Sequence, residues 1–260
     1  MFKTYFGKLK AASTLRNSFF ILLFLLPILI TLTLFFGEDN DEFSQMGNAS
    51  YSGDKIHDRC DAGTRPGESG AFNGESTGEG IKYNVRMPLN YDSTIAHPLL
   101  MVYSPAKSNR AKTEKMTGLT LKATTAGFIV AYAEHSDGGT AAMALAFMAG
   151  TKHIPDAIAP SAAGIDYQDL RDRKCPKPIP VMIMHSANDH LFPKYGVQSS
   201  GWWAACNKCE PIPEKIKNGC MAYSGCANGI KTWYCEGDKL HAQWPGINDT
   251  LVDFFVSVGR

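Results

Sequence analysis

Four short apolar runs set apart by helical patterns constrain this chain most: PLLMVYS (98–104), GFIVAYA (127–133), DAIAPSAA (156–163) and PVMIMHS (180–186). Each is shorter than an ordinary helix and too uniformly apolar for a strand with one wet face, so each reads as a buried strand. Between the first two lies TEKMTGLTLKATTA (113–126), with Met116, Leu119 and Ala123 at helical spacing. GGTAAMALAFMAG (138–150) and YGVQSSGWWAACN (195–207) are further helix patterns, and KTWYCEG (231–237) is another strand. NDTLVDFFVSV (248–258) closes the chain as an amphipathic helix, with Asn248 or Asp249 near its N-cap. IKYNVRMP (81–88) alternates and then meets Pro88, which predicts an edge strand. Strands alternating with helices indicate an α/β fold with a mostly parallel sheet flanked by helices. In such sheets chemistry gathers beyond the carboxyl ends of the strands.

The N-terminus is a separate object. Residues 1–18 form a basic head with Lys3, Lys8, Lys10 and Arg16. Then comes FFILLFLLPILITLTLFF, 19–36, without a charge, followed by acidic Glu38, Asp39, Asp41 and Glu42. A run of this length just crosses a bilayer as a helix. The basic head belongs on the cytoplasmic side, which puts the remainder outside. A cleaved signal peptide is the competing reading, but the run is long and ends LTLFFGED rather than at a small-residue site. An uncleaved signal-anchor is therefore favoured over a secreted form. Residues 37–80, rich in Gly, Ser, Asp and Glu, read as a linker that becomes an ordered edge, and 81–260 as the α/β domain.

A net charge of +1 excludes a large electrostatic footprint for nucleic acid. The seven cysteines suit an exported chain, with disulfides in a connectivity the sequence does not give. Cys206-Asn-Lys-Cys209 spells a C-x-x-C, open to a redox or zinc reading. It ends a helix pattern, and no second C-x-x-C completes a four-ligand site, so structural disulfides are preferred and no metal is expected. No feature specifies an oligomeric state.

Three strand ends carry candidate chemistry. GFIVAYA runs into Glu134-His135-Ser136-Asp137-Gly138-Gly139, PVMIMHS into Ala187-Asn188-Asp189, and KTWYCEG into Asp238-Lys239-Leu240-His241. A serine hydroxyl is a poor nucleophile until a base takes its proton. His241 is of the type that can do so near neutral pH, and Asp189 of the type that holds its tautomer. The helix starting near Gly138 aims free N–H groups at a developing oxyanion, with the amide of Asp137 as the first donor. The order Ser…Asp…His along the chain is that of the α/β-hydrolases.

HSDGGTAAM, AIAPSAAG, PVMIMHSANDHLFPKYG, the cysteine-bearing stretch from GWWAACNKC to SGC, and HAQWPG together resemble the polyhydroxybutyrate depolymerase and feruloyl esterase branch of that fold, over about residues 60–258. The resemblance implies Ser136 as nucleophile, Asp189 as acid and His241 as base. It implies hydrolysis of polyhydroxyalkanoate, feruloyl, acetyl or small aryl esters, without a cofactor. Three departures accompany it. Glu134 stands where G-x-S-x-G has its first glycine. The family's His-Gly oxyanion loop is here Tyr103-Ser104-Pro105-Ala106, leaving the amide of Ala106 as second donor. Finally, GFIVAYA joins HSDGG directly, where the family has two strands separated by a helix. GFIVAYA then either becomes the nucleophile strand or keeps its earlier slot and displaces Ser136. A catalytically impaired homologue acting as a binding protein is the alternative function.

Overall fold

A computed structural model describes residues 69–134 and 137–259. The basic head, the 19–36 span, Cys60, His135 and Ser136 lie outside the described residues. Among the described residues no helix is long and apolar enough to cross a membrane.

In chain order the elements are β1 (Ala71–Ser76), β2 (Lys82–Arg86), β3 (Leu99–Tyr103), α1 (Arg110–Thr117), α2 (Thr120–Thr125) and β4 (Ile129–Ala133). There follow α3 (Gly138–Leu145), α4 (Tyr167–Leu170), β5 (Val181–Ser186), α5 (Tyr195–Cys206), β6 (Glu214–Lys215), β7 (Cys220–Tyr223), β8 (Thr232–Gly237) and α6 (Asn248–Val258). The helical pattern at 113–126 breaks into α1 and α2 because Gly118 takes a left-handed φ of 55° and donates its N–H to Glu114 O. This backbone turn ends a helix readily when the residue is glycine.

The strands form two sheets, ordered β1-β2-β4-β3 and β5-β8-β7-β6. Both are mixed rather than mostly parallel: β3–β4 and β5–β8 run parallel, while β1–β2, β2–β4, β6–β7 and β7–β8 run antiparallel. β2 is interior rather than an edge, since β1, from within the stretch read as linker and ordered edge, covers it. DAIAPSAA contributes only two isolated parallel bridges to β5, Ile158 to Val181 and Ser161 to Met184. Alternate residues face β5 here, as Met182 N donates to Ile158 O and Ala162 N to Met184 O. Pro160 occupies one of those positions without an N–H, so the ladder is interrupted there.

GFIVAYA, as β4, lies between β2 and β3, and among the described residues no strand joins β3 to the Ile158–Ser161 segment. An apolar layer on one face nevertheless spans both sheets. It takes Leu100 of β3, Val130 and Tyr132 of β4, and Met182 and Met184 of β5, and packs them under Leu119, Ala123, Leu251 and Phe254. The alternate residues Val181 and Ile183 turn to the opposite face with Met143, Ile158, Leu170 and Trp203. Each large side chain so buried contributes about 1.5–3 kcal/mol.

Six cysteines are paired: Cys175–Cys206, Cys209–Cys226 and Cys220–Cys235. The two members of the C-x-x-C therefore bond to different partners, which removes the redox-pair reading and uses up the thiolates a zinc site would need. Such bonds form and persist in oxidising compartments.

Candidate active site

The parallel pairing of β5 with β8 places Ser186 opposite Gly237, so both chains leave the sheet at one edge. Their loops are then laced together. Ala187 N donates to Gly237 O at 2.9 Å, Asn188 Nδ2 to Asp238 O at 2.7 Å, and Ser186 Oγ to Lys239 O. The result brings two residues fifty-two positions apart into contact, with His241 Nδ1 at 2.8 Å from Asp189 Oδ2. The other carboxylate oxygen accepts from the amides of Leu191 at 3.0 Å and Phe192 at 2.9 Å. Asp189 is only 2% exposed. Burial pushes its pKa up, but the His241 hydrogen bond, the Phe192 amide and the nearby imidazoles outweigh this and hold it below the ordinary carboxylate value. A carboxylate accepting from Nδ1 fixes the proton there and leaves Nε2 of His241 with the lone pair a base requires. The His241 ring stands edge-on against Phe192, centroids 4.9 Å apart.

Ser136 lies outside the described residues, but both flanks of its turn are defined. Before it, Ser104 N and Oγ both reach Ala133 O at 3.0 Å, tying the ends of β3 and β4 together. Glu134 turns its carboxylate into an ion pair with Arg110, whose Nε bonds Asn84 Oδ1.

After the turn, Asp137 occupies the N-cap position of α3, with Ala141 N donating to its carbonyl at 2.8 Å. The next two residues must be glycines. A Cβ on Gly138 would stand 2.4 Å from Tyr103 O, and one on Gly139 would stand 1.9 Å from Ser161 O. Tyr103 closes β3 and Ser161 closes the Ile158–Ser161 segment, so the start of α3 is wedged between the facing ends of the two sheets.

Ala106, the second expected oxyanion donor, sits exposed in the Pro105–Ser108 turn, where Ser108 N donates to Pro105 O at 3.1 Å and Lys107 takes a φ of 61°. Ser104 anchors this loop by accepting from Thr113 Oγ1 at 2.9 Å.

A small depression lined by Ser161, Ala162, His185, Ser186 and His241 adjoins the pair. Ser161 thus borders both parts of the site, its carbonyl bearing on Gly139 and the residue lining the same depression as His241. Two features escaped the sequence reading. Ser186 works as a loop clasp rather than merely ending a strand. His185, near the end of the PVMIMHS run, has Nε2 at 2.9 Å from Phe192 O and 3.5 Å from Asp189 Oδ2. Its place four residues before Asp189 was the available signal.

No family model and no curated protein sequence matches the chain. Solved structures to which it is similar include the acetyl xylan esterase from Aspergillus awamori, at 13% identity over 67% of this chain and 93% of that one, with a TM-score of 0.47. Est1E from Butyrivibrio proteoclasticus aligns at 13% identity over 73% and 99%, TM-score 0.45. A 2,6-dihydroxy-pseudo-oxynicotine hydrolase aligns at 14% identity over 74% and 68%, TM-score 0.43. At these levels the functional reading is carried by the site's own geometry.

Proposed function

We propose that the protein is a serine esterase acting through Ser136, His241 and Asp189, held outside the cytoplasm by the 19–36 segment. The observation that carries this reading is the buried Asp189 bonded to His241 at the rim of the depression that Ser161 shares with the start of α3. Ser136 is three residues from Gly139, a span of about 10 Å at most, within reach of that depression. In the proposed reaction Ser136 Oγ attacks the ester carbonyl carbon while its proton passes to His241 Nε2. Asp189 stabilises the imidazolium. The amides of Asp137 and Ala106 receive the oxyanion, each such donor being worth about 3 kcal/mol in the barrier. Collapse expels the alcohol, which takes the proton from His241, and water then hydrolyses the acyl-enzyme by the same route. Polyhydroxyalkanoate, feruloyl, acetyl or small aryl esters are the substrate class, and no cofactor takes part. The detergent-solubilised full chain should release p-nitrophenol from short acyl esters, with a loss of about 10⁴-fold or more in Ser136→Ala. Equal rates would end this reading.

One observation favours a second reading. β4, the last strand before α3, is interior to its sheet, and α3 starts against Tyr103 at the end of the neighbouring β3. A scaffold that binds esters without turning them over would follow. A fluorophosphonate adduct on Ser136 supports the esterase; retained ester binding without an adduct supports the binding protein.

A further inference from the structure

We infer that His185 is a positioning residue for the acid–base pair, a conclusion that rests on reading Asp189 and His241 as that pair. His185 is on β5 and only 4% exposed. Its backbone is fixed by the β8 ladder, where it registers with Glu236. Its side chain is fixed by α5, because Gly196 packs so closely that a Cβ there would lie 2.3 Å from His185 Cβ. The ring is therefore a rigid post from which Nε2 reaches two points on one loop, Phe192 O at 2.9 Å and Asp189 Oδ2 at 3.5 Å. A carbonyl accepts only, so the short contact requires the proton on His185 Nε2. Phe192 then serves three ends at once. Its carbonyl accepts from His185, its amide donates to Asp189 Oδ1, and its ring stands against His241. By holding that one residue, His185 sets the carboxylate orientation and one wall of the base.

Charged and titratable groups near His185 include Asp189 and His241 from the loops, Tyr234 and Glu236 from β8, Lys239 beyond it, and Lys194 and Tyr195 at the start of α5 beside Gly196. Tyr234 Oη is bonded to Glu236 Oε1, and Lys239 lines the depression. The carboxylate that His185 approaches is thus the one shared with His241. Without the post, the 189–192 loop relaxes and His241 loses its aligned partner, which makes the imidazolium less stable.

The test compares His185→Leu, which removes the donor, with His185→Gln, which keeps an N–H near the same place. The leucine variant should lose 10-fold or more in kcat with little change in KM, and the acid limb of its kcat/KM profile should move to lower pH. The glutamine variant should restore most of both. Wild-type kcat and an unmoved acid limb in the leucine variant would overturn the inference. Two NMR readouts require no turnover. The His241 Nδ1–H resonance should lie far downfield in wild type, shift upfield in the leucine variant and return in the glutamine variant. In wild type the ¹⁵N shifts of His185 should show the proton on Nε2. A proton on Nδ1 overturns the inference even if neither variant folds. If Ser136→Ala retains full activity, the esterase reading falls, and the NMR outcomes still decide the role of His185.

Discussion

At Asp189 a single carboxylate meets both the proposed base and two loop amides. Asparagine in its place keeps the amides of Leu191 and Phe192 satisfied but presents an N–H donor to His241 Nδ1, which selects the wrong tautomer. Asp189→Asn should therefore keep the fold and lower kcat by about 10⁴. The sign of the pH effect on stability follows from the direction of the shift. The folded pKa lies below the ordinary value, so the unfolded chain binds the proton more readily. This group's contribution is complete above the unfolded pKa of about 3.9 and is lost as pH falls through the folded one. Urea midpoints of wild type and Asp189→Asn should accordingly converge below about pH 4. Gly139 gives the other decisive residue. An alanine there meets Ser161 O at 1.9 Å, so either α3 or the Ile158–Ser161 segment must move. Gly139→Ala should cost about 1–3 kcal/mol in stability and abolish esterase activity, read by thermal unfolding and turnover. Ser-Asp-Gly-Gly showed a sharp turn into a helix; that each glycine faces a different sheet was invisible, because those carbonyls come from segments 35 residues before and 22 after.

The hydrogen-bond direction along β3 follows from its flanks. Ile129 N donates to Pro98 O and Ser104 N to Ala133 O, so Leu100 and Val102 turn their amides toward β4. Leu99 and Met101 turn theirs the other way, toward the outer edge of the sheet, and the two residues are 59% and 40% exposed. Amide exchange measured by NMR should be at least about tenfold faster at Met101 than at Leu100 and Val102, because a ladder bond protects only the latter two. Protection equal at all three would mean that β3 has a partner on its outer edge. The strands were legible where apolar runs were unbroken, as in GFIVAYA and PVMIMHS. DAIAPSAA was not, because Pro160 acts on pairing and leaves hydrophobicity unchanged. β1 was hidden in a Gly- and Glu-rich stretch whose AFNGES alternates too weakly to be separated from linker, although it pairs with β2 across a short turn. PLLMVYS read as buried on both faces. Its composition suits a strand inside a larger sheet, whereas its position leaves one face bare.

Across the whole molecule, covalent restraint is uneven. All three disulfides lie between Cys175 and Cys235, around β5, β7, β8 and α5, and among the described residues none touches the first sheet. Cys220–Cys235 joins register partners on β7 and β8, and Cys175–Cys206 ties the approach to β5 to the end of α5. Closed loops of 31, 17 and 15 residues each restrict the unfolded chain by an amount worth about 3–4 kcal/mol. The proposed acid and base follow β5 and β8, so this half carries the prearranged pair, and the Pro105–Ser108 turn proposed to supply an oxyanion donor follows the first sheet. Reduction should therefore act on activity through folding. Replacing Cys175 and Cys206 together by serine should lower the unfolding temperature by several degrees, yet leave kcat within about twofold well below that temperature, since Asp189 is held by His241, Leu191, Phe192 and His185 rather than by either cysteine. A proportional fall in kcat at temperatures where circular dichroism still reports native structure would mean that α5 transmits strain to His185 through Gly196. The two outcomes separate a bond that holds the half together from one that aims its catalytic edge.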